Sequence, residues 1–532
     1  MIYLLALLLT ILIFLKSKLN LIFIILFSFL INSIAIIIYK FGFGFDFFIH
    51  EATMELINAT GAVEPKPLYY LGQYSIIILL HKLLLIPIHY AHLLLVPVLA
   101  SFLIPFNLYL VLKKKFSSQT NTYLSLLVFI TLPLALFFNT TPQNLAYLFL
   151  ILVIIRGLNC RDYFDIFYIF ALSLATLLIQ PIAGIPAILL SLAITIYYSD
   201  FKKIKKHLYR FIFILSAISL PGAFVLVNKL NGIGNADESV SSASPVLRRF
   251  LEGLTLQLPK EENIILNFIY FFAFNIKLLL LGLFIIGAYT VYKNKKEFKV
   301  YRVYLLIAFG VFISFLITNN LSFSYLISYE RLAFSARIFN VSLLLLTPFF
   351  MVGVFSLINS LSQKRTVIKI IFIGFYVFLI PIFVYINYPR LDNYHNSHGY
   401  SVSQDDIDAV NYIEDNSKDD YIVLANQQTS VAALREFGFT RYYKTDEGED
   451  IFYYPIPTGA PLYEYFLKMV DEEPSRDTML EAMDIANVDT GYFVINKYWW
   501  AFPKIVAEAK IEANSWKSIN NGEIFIFKFN KK

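Results

Sequence analysis

The feature that most constrains this chain is the recurrence of apolar runs about as long as a bilayer is wide, parted by lysine-rich links. The runs fall at residues 1–15, 20–39, 68–86, 89–112, 119–138, 143–158, 163–179, 181–198, 211–228, 264–292, 300–318, 338–359 and 367–386. A helix needs roughly twenty apolar residues to cross a hydrocarbon core. A soluble core does not call for 58% hydrophobic residues and 52 Phe in a chain of 532. The pattern predicts a polytopic α-helical membrane protein of about 12 spans. The first fifteen residues carry no basic leader and no small-residue cleavage site, so they read as a retained span.

The links set the sides. Lys16 and Lys18; Lys113, Lys114 and Lys115; Lys202, Lys203, Lys205 and Lys206; residues 293–299; and Lys364 with Arg365 should all face the cytoplasm. Residues 41–67, 229–263 and 319–337 then become outer loops, and the Gly, Ser and Asn content of 229–263 predicts a mobile one. One conflict follows. Placing both Lys16 and Lys113 inside requires an odd number of crossings between residues 67 and 112, where hydropathy gives two. A partial or re-entrant segment directly after the first outer loop resolves it, with non-helical backbone buried or lining a cavity. Asn275 and Lys277 interrupt the run at 264–292, which predicts a surface-lying helix over 264–274 and a true span over 276–292.

After Ile386 the composition changes. Residues 1–386 hold 30 Lys and Arg against 14 Asp and Glu, whereas residues 387–532 hold 14 against 24. The second part, 387–532, reads as a soluble extracytoplasmic α/β domain on the multi-span domain 1–386. It shows a helix over 405–416 capped by Ser403 and a buried strand at 421–424. A helix over 429–437 stops at Gly438, and helices follow near 461–472 and 475–486. A strand at 491–495, a helix over 502–513 and a terminal strand at 523–529 complete it. The lysine clusters lie between apolar spans, so nothing points to a nucleic-acid partner. The single cysteine, Cys160, excludes an intrachain disulfide and a cysteine-based metal site.

Chemistry-bearing residues gather in the first outer loop. Residues 44–61 read GFDFFIHEATMELINATG, and Pro65-Lys66-Pro67-Leu68-Tyr69-Tyr70 follow. If 46–59 is helical, Asp46 and His50 share a flank, as do Glu51 and Glu55. An acid beside an imidazole can serve as a general base or hold a metal. Asp46 could equally cap the helix, and Glu51 and Glu55 read as a solvated face. Arg331 and Arg337 stand outside, against the positive-inside bias, and can fork onto phosphate oxygens or snorkel to headgroups. Arg248 poses the same choice. Tyr453, Tyr454, Trp499 and Trp500 read as core rather than as a sugar platform. The acidic residues 446–450 lack the alternating spacing of a calcium loop and read as a solvated turn.

The loop motif, with Asn139 to Ala146 and Gln180 to Pro186 as outer helix junctions, resembles the GT-C superfamily of membrane glycosyltransferases, such as protein O-mannosyltransferases and oligosaccharyltransferases. Gln180 stands where a His is common in that superfamily. The resemblance implies inverting transfer of a sugar from a polyprenyl-phosphate donor to a glycan, lipid or protein acceptor outside the plasma membrane. It implies Asp46 as the base, His50 as its partner, and Arg331, Arg337 and Arg248 on the donor phosphate. No Asp-x-Asp or Glu-x-Asp pair follows Asp46. The residues left for a divalent cation are Asp46, Asp237 and Glu238. The competing readings are a transporter or flippase for a polyprenyl-linked lipid and a non-catalytic scaffold with a partner-binding outer domain. A transporter predicts internal repeats and charges in mid-membrane, and neither is evident.

Overall fold

The computed structural model describes residues 2–62, 70–115, 118–132, 134, 137–160, 162–199, 204–230, 252–261, 263–295, 298–319, 328–364, 366–395, 401–417, 419–444, 450–456 and 461–531. Helices dominate as far as residue 387. They are α1 (Ile2–Phe14), α2 (Asn20–Ile38), α3 (Asp46–Thr60), α4 (Leu71–Leu84), α5 (Ile88–Lys115), α6 (Gln119–Thr131), α7 (Pro142–Gly157) and α8 (Tyr163–Ile179). Then come α9 (Pro181–Tyr198), α10 (Lys205–Leu230), α11 (Ile264–Phe274), α12 (Ile276–Lys293), α13 (Tyr301–Asn319), α14 (Ser328–Leu345), α15 (Thr347–Ser362) and α16 (Thr366–Asn387).

Seven of these are long and apolar enough to cross a membrane: α2, α5, α9, α10, α12, α13 and α16. An eighth arises if α14 and α15, bent by 49° at Leu346, count as one span. Five further apolar helices are shorter, among them α4 at 14 residues and α11 at 11. The chain is therefore a polytopic helical membrane protein with seven or eight spans by length among the described residues. The segment expected at 119–138 stops as a helix at Thr131. The doubtful segment after the first loop is α4, below spanning length.

The break at Asn275 has a clear cause. Its side chain accepts from the Gln257 N–H at 2.9 Å and donates to the Gln257 carbonyl at 2.8 Å and to that of Phe271 at 2.7 Å. Those bonds compete with the helical ladder and part α11 from α12.

Contacts divide the chain into two compact units. One comprises residues 1–34, 69–76 and 94–390; the other comprises 35–68, 77–93 and 391–532. In the first, α12 packs on α15, α13 on α14 and α10 on α13. The α12–α15 crossing is backbone to backbone. A Cβ on Gly287 would lie 2.0 Å from the Phe349 carbonyl oxygen, and one on Gly353 would lie 2.2 Å from that of Leu283. Small residues permit this approach, which replaces the hydrophobic drive that lipid removes. Hydroxyls add ties, with Ser173 and Ser191 at 2.7 Å and Tyr304 donating to the Ile154 carbonyl at 2.9 Å.

The second unit contains a four-stranded sheet. Its elements are α17 (Gln404–Asn416), β1 (Tyr421–Leu424), α18 (Gln427–Phe437), β2 (Tyr442–Lys444), β3 (Asp450–Phe452), α19 (Pro461–Asp471), α20 (Arg476–Ile485), β4 (Thr490–Asn496), α21 (Phe502–Glu512), β5 (Ser515–Ile519) and β6 (Ile524–Asn530). The sheet runs β1-β4-β6-β5, with β1 parallel to β4 and the other pairs antiparallel; β2 and β3 form a separate hairpin. Both faces are covered, so β1 is apolar throughout. Tyr421, Val423, Ile524 and Ile526 enter one core, while Ile422, Leu424, Phe527 and Phe529 enter the other. Ser403 caps α17 in a reciprocal box with Asp406.

Candidate functional site

Two glycines turn the chain from α2 into α3. Gly42 and Gly44 hold φ of 119° and 78°, in the left-handed range that favours residues without a Cβ. A Cβ at Gly42 would also lie 2.5 Å from the Phe47 ring. α3 starts on Asp46 itself; the cap position belongs to Phe45 and carries no side-chain cap bond. The capping alternative for Asp46 is therefore not what the helix uses. α3 ends at Gly61, whose N–H donates to the Ile57 carbonyl at 2.8 Å. It buries Phe47, Phe48, Ile49, His50, Thr53 and Met54, and packs on α18.

On the neighbouring flank lies Glu51, which the sequence reading put on a solvated face. Its side chain is 16% exposed. His89 Nδ1 lies 3.1 and 3.0 Å from its two oxygens, and His92 Nδ1 lies 3.9 Å from Oε2. Phe47 orients both imidazoles, stacking on His92 at 4.2 Å and meeting His89 edge-on at 5.8 Å. The physical reason for the correction is the partner pair. His89 and His92 are three apart on α5, hence on one flank, and they compensate a carboxylate that burial alone would penalise. The sequence carried that signal as two polar residues at helical spacing.

The electrostatics of the two glutamates diverge. Burial raises the Glu51 carboxyl, but the hydrogen bonds and charges of His89 and His92 outweigh it and bring its pKa from 4.5 to about 2. Glu55, one turn on, is raised by burial and by the Glu51 charge, with His81 opposing. A pair pushed apart in this way separates a fixed anion from a proton-accepting group.

Both carboxylates line a cavity of about 220 Å³ with Phe48 of α3, Leu434 and Arg435 of α18, and Phe439 and Thr440 beyond it. The Arg435 guanidinium stands 4.3 Å over the Phe41 ring and its Nε lies 3.7 Å from Glu436. Its buried Nη1 has no hydrogen-bond partner among the described residues. The cavity thus offers an anion, a raised carboxyl, a guanidinium donor and apolar walls.

The other sequence candidates are dispersed. Asp46 is exposed in the first turn of α3 and His50 is buried one turn later; neither lines the cavity. Arg337 lies in α14, its guanidinium 5.4 Å over the Phe334 ring and its carbonyl accepting from the Tyr147 hydroxyl at 3.4 Å. Arg331 falls on the same helix. Arg248, Asp237 and Glu238 lie outside the described residues, as do residues 446–449 of the acidic run. Among the described residues, no group of three or more His, Cys, Asp and Glu is placed to hold a metal ion. Tyr453 and Tyr454 are core, as expected, whereas Trp500 is 76% exposed.

Fold and contacts together define a polytopic helical membrane protein with a small sheet-bearing unit that incorporates the acid-bearing helix α3. Compared with known proteins, no family model matches the chain and no curated protein matches it.

Proposed function

We propose that the chain is a membrane glycosyltransferase that moves a sugar from a polyprenyl-phosphate donor to an extracytoplasmic acceptor at the plasma membrane. The observation that carries the reading is the α3 cavity, with two carboxylates of divergent proton affinity on a helix entered directly from a span. The acceptor hydroxyl gives its proton to a carboxylate as its oxygen attacks the anomeric carbon. The carbon–oxygen bond to phosphate breaks, and its electron pair leaves with the lipid phosphate, giving inversion. Arg435, on the wall of the same cavity and with its Nη1 unpartnered among the described residues, supplies the donor that stabilises that phosphate. The electrostatics favour Glu55 over Glu51 as the base, and the loop motif favours Asp46.

The test is transfer by the purified full chain in liposomes, with labelled polyprenyl-phosphate sugars and cell-envelope acceptors. Loss of the general base costs about 100-fold or more in turnover. The variant that loses it, Glu55→Gln or Asp46→Asn, names the base. Undiminished transfer in the double variant, or no release of polyprenyl phosphate by the unmutated chain, overturns the reading.

A further inference from the structure

Within the larger unit, α12, α13, α14 and α15 border a cleft of about 280 Å³. Leucines and phenylalanines make up most of its walls, among them Phe284, Phe312 and Phe350. Lys277 is the one charged residue on its lining among the described residues. Lys277 is the second residue of α12, so its ammonium belongs to the helix end where backbone N–H groups face outward. Leu280, Leu281 and Phe284 follow at helical spacing down the same flank and line the cleft below it. The cleft therefore has a cationic head and an apolar length.

Gly253 makes room for the ammonium. A Cβ on Gly253 would fall 2.5 Å from Lys277 Nζ, so a residue without a side chain leaves the space that Nζ occupies. The hydroxyl of Ser342, on the α14 side of the lining, donates to the Ala308 carbonyl at 3.0 Å and is already satisfied. An apolar cavity excludes water and takes apolar groups, while a single ammonium at its end selects an anion. Its size sits just below the range of roughly 300 to 1,000 Å³ typical of small-molecule sites, so it takes one chain segment and no sugar head. Leu281 and Phe309, 42% and 56% exposed, leave the cleft open along the side of the spans.

We propose that this cleft binds one acyl chain of an anionic glycerophospholipid, with the lipid phosphate on Lys277. The inference is independent of the glycosyl-transfer reading. It is tested on the full chain in detergent by native mass spectrometry, with titrations of phosphatidylglycerol, phosphatidylcholine and a polyprenyl monophosphate. Phosphatidylglycerol is expected to be retained at least tenfold more tightly than phosphatidylcholine. Lys277→Gln should bring that preference below twofold, and Lys277→Arg should keep it. Gly253→Ala displaces the ammonium without removing its charge and should reduce the preference several-fold, which keeps the test open if Lys277→Gln does not fold. Equal retention of the two phospholipids, or an unchanged preference in Lys277→Gln and Gly253→Ala, overturns the proposal. So does tighter retention of the polyprenyl phosphate, which would make the cleft an isoprenoid site.

Discussion

At Glu51, two histidines three residues apart on α5 outweigh what burial costs a carboxylate. The sign of the consequence follows from the direction of the shift. The folded pKa lies near 2 and the ordinary value is 4.5, so the stabilisation is present above pH 4.5 and is lost as pH falls towards 2. Glu51→Gln should destabilise the second unit by about 2 kcal/mol at pH 6, and the gap from the unmutated chain should close between pH 4.5 and 2. All three Trp, at 499, 500 and 516, belong to that unit, so denaturation followed by their fluorescence reads it directly. A pH-independent gap would show that Glu51 acts by packing alone. This residue was not legible beforehand because its partner His89 stands 38 positions on, beyond α4. Asp406 is a second case. Its cap role with Ser403 was local and readable, but its bonds to Thr429 and Asn496, both 2.8 Å, needed β1 and β4 to pair first. What the sequence does carry is type and spacing; which distant side chains meet is decided by tertiary contacts.

Elements were more legible than contacts, for reasons that differ between the two units. Asn275 and Lys277 marked the end of an apolar run, and the break between α11 and α12 falls there because an amide can satisfy backbone groups that a leucine cannot. The helices and buried strands of residues 403–530 follow their apolar periodicity within a residue or two. The strands that escaped notice, β2, β3 and β5, are short or carry polar residues, so no period stands out; β5 is Ser-Trp-Lys-Ser-Ile at the sheet edge. The close α12–α15 crossing left only two isolated glycines in the sequence, Gly287 and Gly353. Gly353→Ala should lower stability in detergent by about 2 kcal/mol, since a methyl forced against a backbone carbonyl moves the helices apart. Gly282→Ala, also on α12 but with nothing within 4 Å of its Cβ, supplies the control and should be neutral or stabilising by up to about 1 kcal/mol. Equal thermal midpoints for the two variants would contradict the contact.

At the scale of the molecule, lysine placement and helix length together give a crossing count that neither gives alone. Lys16 and Lys18 precede α2, and Lys113 and Lys114 end α5. Both links stay on one side if α2 and α5 cross while α4, at 14 residues, does not. From there the Lys205 link shares that side only if α6 to α9 make an even number of crossings, and of these helices α9 alone has spanning length. The next pair is α10 with α12, provided that α11 stays out. The last pair is α13 with the bent α14–α15. If α16 then crosses once more, residues 391–532 fall on the side opposite the lysine links, the arrangement to be tested. By length the described helices supply seven spans, or eight with the bent pair, while α1, α6, α7 and α8 at 13, 13, 16 and 17 residues are shorter than a full span. Impermeant maleimide labelling of intact cells tests the arrangement, since the native Cys160 is buried and can stay. New cysteines at the exposed positions Lys497 and Lys504 should label from outside. Those at Lys114 and Lys295 should label only after permeabilisation. The reverse pattern would turn the sheet-bearing unit inward, away from lipid-linked donors outside, and remove the topological basis for transfer at α3. Labelling of Lys114→Cys alone from outside would instead make α4 a crossing helix, with an odd number of crossings between Lys114 and Lys295.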